Sequence, residues 1–119
     1  KEKDIKLLWG RAASLCSICK TELSQSKPTD NSSFVIGEHA HIVGEKEESP
    51  RGKSPLNAEE RASYHNHVLL CPNDHTEIDK NVTNWPVEKL HLYKSKHELW
   101  VRETLSSGTD LRLAADELA

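Results

Sequence analysis

The sequence predicts an α+β domain organised around a strand-strand-helix unit with flanking helices, and three observations carry that prediction. Residues 34–43 are rich in β-branched side chains. The short apolar run Val68, Leu69 and Leu70 ends at Cys71-Pro72. Both ends of the chain carry apolar residues at helical spacing. With 119 residues the chain makes one small domain, poor in aromatics, which a bound metal or a partner would help to hold together.

In residues 4–15, Ile5, Leu7, Leu8, Ala12 and Leu15 recur at roughly helical spacing, which predicts an opening helix anchored to the core by Trp9 and weakened a little by Gly10. Residues 24–33 are polar and aperiodic, the pattern of a loop. The run 34–43 then reads as the first strand of a hairpin, with Gly37 allowing a bulge or a close backbone approach. Residues 44–54 form a charged turn region, and Asn57 with Glu60 three positions on marks the capped start of a short helix. The second strand, residues 67–70, returns the chain to the first. Helix resumes near Asn73 and ends at Asn81 or Asn84. Pro86, at a first-turn position, opens a longer helix to about Leu105, and Ser106-Ser107-Gly108 reads as its stop or a linker. Residues 1–105 are thus expected to form the domain, and 106–119 to lead into a following region of a longer chain. The start at Lys1 without Met fits a processed product or an excised domain.

In Cys16-Ser17-Ile18-Cys19 the two-residue gap lets both thiolates turn back toward one tetrahedral zinc, as in a zinc knuckle, with Cys71 beside the helix that such a site would position. Three cysteines, an odd number, suit a metal site better than a disulfide framework and fit a reducing cytoplasm. His75 and Asp79 lie four residues apart and share one helix face, which can hold a divalent cation. Phosphodiester cleavage needs an activated water on one side of phosphorus and charge stabilisation on the other. His41 on the first strand is placed for the first as general base, and a cation on His75 and Asp79 for the second. Asn66 would fix the hairpin and orient the His41 ring through side-chain hydrogen bonds.

Read in order, Cys-x-x-Cys, His41, Asn66 and Cys71-x-x-x-His75 resemble an HNH endonuclease of the ββα-metal type, with His41, Asn66 and His75 at the three signature positions. More narrowly, Glu38-x-Ala40-His41-Ile42-Val43, Ser49-Pro50-Arg51-Gly52, Asn66-x-x-Leu69-Leu70-Cys71-Pro72 and His75-x-x-Ile78-Asp79 are similar to HNH domains that precede a SAVED sensor domain in bacterial antiphage effectors. The likeness runs from roughly residue 8 to 102. It implies a small ββα-metal fold with a zinc knuckle and flanking helices. It also implies a cytoplasmic bacterial enzyme that cuts DNA, assembled through a fused sensor that binds a cyclic oligonucleotide. The implied cofactors are a catalytic Mg²⁺ or Mn²⁺, with Ni²⁺ or Zn²⁺ as further candidates, and a structural Zn²⁺. Two positions depart from the pattern. Ala40 stands where many members carry an acidic or His metal ligand, and Glu38, on the same strand face, has the reach to replace it. Asp74 stands where related knuckles use Cys or His, giving a Cys16, Cys19, Cys71 and Asp74 donor set.

The remaining features read more plainly. His39, His65 and His67 are expected on the surface, and Trp85, Leu90, Trp100 and Val101 in the core. Lys46, Arg51 and Lys53 form either a solvated turn or a phosphate contact. A net charge of −3 excludes a globally basic nucleic-acid binder but not a local basic patch. No stretch is long and apolar enough to span a membrane, and no leader opens the chain. No helix is rich in Arg, Asn or Gln for reading bases, so contacts to the backbone of double-stranded DNA, with slight sequence preference, are expected. A zinc-stabilised nucleic-acid-binding module without hydrolysis and an RNase of the same fold are the alternatives.

Overall fold

The computed structural model describes residues 1–27, 29 and 32–118, with side chains described for residues 1–26, 29 and 32–107. Helix α1, Glu2–Ala12, starts where Asp4 accepts from the Lys1 amino group and stops where Ala13 and Ser14 turn left-handed, at φ 56° and 58°. Its end falls three residues short of the apolar pattern, because Leu15 is drawn into a bridge with Glu22 instead. Leu8 and Ala12 face the core, and the helix packs on the last helix of the chain.

Residues 24–33, expected as loop, carry much of a second hairpin: β1, Ser24–Lys27, runs antiparallel to β2, Ser32–Val35, with Ser24 opposite Val35. The expected strand 34–43 is therefore split. Its first residues belong to β2 and its later ones to β3, Glu38–His41. Ile36 and Gly37 make the break, and a Cβ at Gly37 would sit 2.6 Å from the Trp9 ring, so only glycine lets that ring so close. β3 runs antiparallel to β4, His67–Leu70, in the register Glu38 to Leu70, Ala40 to Val68 and His41 to His67.

The charged loop after β3 turns at Arg51, at φ 56°, and enters α2, Ala58–Arg61, through reciprocal hydrogen bonds of 2.8 Å between Asn57 and Glu60. A 3-10 turn, Tyr64–Asn66, leads into β4. Helix α3, Pro72–Lys80, begins on Cys71 with proline in its first turn and gives way at Asn81. Helix α4, Val87–Leu118, continues through Ser106-Ser107-Gly108, so those residues do not stop the helix. Leu90, His97 and Val101 bury its inner face, and His97 Nε2 lies 2.9 Å from the Ala12 carbonyl, joining α4 to the end of α1. Trp85 is buried as expected, whereas Trp100 is exposed, with the Lys20 ammonium 4.8 Å from its ring. Val68, Leu69, Leu70, Ile42 and Ile78 form the centre of the core between the β3–β4 sheet and α3. The molecule is an α+β domain with two small sheets, and among the described residues no helix is long and apolar enough to cross a membrane.

Candidate active site and metal centre

The segment after α1 is folded back on itself to bring cysteine thiols together. Lys20 adopts φ 66° and donates from its backbone to Cys16 O at 2.9 Å, and Ser17 N donates to Leu69 O at 3.0 Å, which docks the turn on β4. Cys71, at the end of β4, caps α3 with its sulfur, and Asp74 lies one turn into that helix. As a result the ligand atoms of Cys16, Cys19, Cys71 and Asp74 all lie within 4.8 Å of one another, and this cluster can hold a metal ion. Cys16 and Cys71 are buried, whereas Cys19 is exposed. Burial pushes the Cys16 thiol up to about 12 and raises Cys71 as well. Both thiols accordingly donate to Asp74 Oδ2, at 3.2 and 3.4 Å, and a cation entering the cluster must displace protons.

A cleft of about 190 Å³ opens at the far end of the β3–β4 hairpin, between His39 and His41 of β3, Gly44, Glu45, Ser49 and Pro50 of the loop, and His75 and Asp79 of α3. Helical periodicity puts His75 and Asp79 on one face, and the strand sets His41 across from them. The His75 ring lies between two carboxylates, with Nδ1 2.8 Å from Glu38 Oε1 and Nε2 3.2 Å from Asp79 Oδ2. Asp79 Oδ1 is held by Arg51 at 2.7 Å. Glu38, Asp79 and His75 therefore meet, but as a chain rather than around one point. A cation placed among these three groups would have to replace the ring's contact with one of the carboxylates. Burial lowers His41 below the ordinary histidine range, against the opposing pull of Glu45 and Asp79, which keeps it in the neutral form that a base requires. A larger surface hollow of about 640 Å³, with Glu47, Glu48, Lys53 and Glu88 in its wall, contains no imidazole or thiol.

Two expected roles change. Asn66 is buried and its amide is fully used on backbone: it accepts from Val43 N at 2.9 Å and donates to Val43 O at 2.7 Å and Arg61 O at 2.9 Å. It fixes the hairpin end but does not bond the His41 ring, because its side chain points into the loop that follows β3. Arg51 does not face phosphate. Its guanidinium is buried, donating to His41 O, Ile42 O and Ile78 O as well as to Asp79, so this loop residue clamps β3 to α3. Lys46 and Lys53 remain exposed, Lys53 beside the larger hollow rather than in the cleft.

His67 and His39 were expected on the surface, and His67 is instead half-buried against His41. The two rings meet edge to face, 4.5 Å between centroids, with their Nε2 atoms 3.3 Å apart. His39 takes a 2.7 Å hydrogen bond on Nε2 from the Trp9 indole. Indole nitrogen only donates, so His39 carries its own proton on Nδ1. The signal for His67 was the pairing of positions 41 and 67 across the hairpin, which depends on a register that side-chain types alone leave open. In comparisons with known proteins, no protein-family profile matches the chain, and no curated protein matches it either.

Proposed function

We propose that the domain is a metal-dependent endonuclease that hydrolyses phosphodiester bonds in double-stranded DNA with little sequence preference. The observation that carries this reading is the cleft shared by His41 from a strand and by His75 and Asp79 from a helix, the two groups that such a reaction needs on either side of phosphorus. His41 is the general base. Glu38, His75 and Asp79 would hold a divalent cation, Mg²⁺ or Mn²⁺ before Ni²⁺ or Zn²⁺, whose chemistry when bound is to neutralise charge developing on the leaving oxygen. Asn66 and Arg51 keep the strand end and the helix at a fixed separation. Lys46, exposed on the loop, is available to the DNA backbone. The Cys16, Cys19, Cys71 and Asp74 cluster suits a structural zinc, since thiolates favour a borderline-soft ion and a carboxylate completes four donors. The resemblance to SAVED-fused effectors adds activation by assembly of several copies, which also suits an enzyme whose one site cuts one strand.

Incubating the protein with supercoiled plasmid and Mg²⁺ or Mn²⁺ tests the reading. Nicking is expected, and His41→Ala should reduce it by roughly 10²- to 10⁴-fold, the usual contribution of a general base, with zinc content and fold retained. Equal rates for wild type and variant would remove His41 from the role. DNA bound but uncut at any protein concentration would favour the binding module, and faster cutting of RNA would favour the RNase. A rate that climbs more steeply than protein concentration would support assembly.

A further inference from the structure

A general base whose ring can exchange its proton between two nitrogens is the base only part of the time. Something must therefore fix the His41 tautomer, and Asn66, committed to Val43 and Arg61, does not. The β3–β4 register puts His67 directly across from His41, and the 3.3 Å between their Nε2 atoms is spanned by a single proton. Among the described residues, Nδ1 of His41 has no hydrogen-bond partner, and the ring lines the cleft.

The surroundings of the two rings decide which one donates. Burial lowers His41 too, but the carboxylates Glu45 and Asp79 beside it pull the other way, with His75 opposing. Around His67 lie His41, His39, Lys94 and the chain's amino terminus, all of which disfavour one. Burial first, and these neighbours second, bring His67 down to about 4, so near neutral pH its ring is uncharged and able to accept.

We propose that His67 is a positioning residue: by accepting a hydrogen bond from His41 Nε2, it holds His41 in the tautomer whose Nδ1 takes the proton of the attacking water. This rests on the nuclease reading above. In the step, the water O–H bond breaks and its proton goes to Nδ1. Its electron pair forms the new O–P bond, and the P–O bond to the leaving oxygen breaks with its own pair. The Nε2 proton stays on His41 throughout, and the imidazolium that forms points that proton at a neutral partner.

The tautomer can be read without any cleavage assay, from ring ¹⁵N shifts in histidine-labelled, zinc-loaded protein. His41 is expected as the Nε2–H form in the wild type and as a mixture in His67→Phe. Plasmid nicking by that variant should fall about tenfold or more in kcat, inside the roughly 10²- to 10⁴-fold owed to a general base, with KM within about twofold. His67→Gln, whose amide oxygen can accept the same bond, should recover most of the rate and the Nε2–H form. An Nδ1–H His41 in a cutting wild-type enzyme overturns the assignment, as does a His67→Phe variant with unchanged tautomer and kcat. A wild type that cuts nothing while His41 is Nε2–H sinks the nuclease reading instead, so the two failures are told apart.

Discussion

Asn66 is 3% exposed, and its amide answers one backbone N–H and two carbonyls of the buried residues Val43 and Arg61. Truncating it to Ala strands those three groups in the core, where each unsatisfied group costs about 1–3 kcal/mol, so Asn66→Ala should lose roughly 3 kcal/mol or more by urea denaturation. A loss below about 0.5 kcal/mol would mean that water replaces the amide. An inactive Asn66→Ala protein would therefore report a displaced hairpin end rather than a missing catalytic group. Much at this scale was legible in the sequence: His41, His75, Asp79 and the cysteines stand out by type and spacing, and the structure gathers them in two places. What each touches was not. Whether a carboxamide meets an imidazole or a peptide group depends on backbone path and rotamer, and Arg51 shows the same limit, since its left-handed turn sends a surface-looking cation inward.

At the scale of elements, α3 does the most for the site in nine residues. Cys71 caps it and contributes a thiol to the cluster that can hold a metal ion, Asp74 supplies the fourth donor of that cluster, and His75 and Asp79 face the cleft from its next turns. Removing the carboxylate by Asp74→Ala should weaken metal binding at the cysteines by on the order of tenfold or more, a scale on which even outer partners of metal ligands act. Competition with a chromogenic chelator would measure it, and unchanged affinity would take Asp74 out of the donor set. The capped α2, α3 and the β3–β4 pairing could be read ahead because caps, proline and apolar runs mark them. The β1–β2 hairpin could not: its β2 residues are all exposed, so no alternation records the strand. The end of α1 was hidden for a related reason, since Leu15 keeps the helical apolar spacing while its backbone pairs with Glu22.

Across the whole molecule, His39, His41, His67, His91 and His97 are all held below the ordinary histidine range, with burial the leading cause in each. The unfolded chain therefore takes up protons near pH 6.5 that the folded chain refuses until lower pH. For His67 the window runs from about 6.5 down to about 4. Within it the unfolded state binds more protons, so stability must fall as pH falls and recover as it rises. Urea midpoints measured from pH 7.5 to 4.5 with zinc in excess should decline steadily. A flat profile would mean that these rings protonate in the folded state as freely as in water. The inward turn of Arg51 has a further consequence for how a polyanion would be held. With that guanidinium spent on His41, Ile42, Ile78 and Asp79, no lysine or arginine is among the described residues lining the cleft to expel counterions from a duplex. A single copy would then grip DNA loosely and with little sensitivity to ionic strength, and lasting residence on the duplex would have to come from avidity between neighbouring copies.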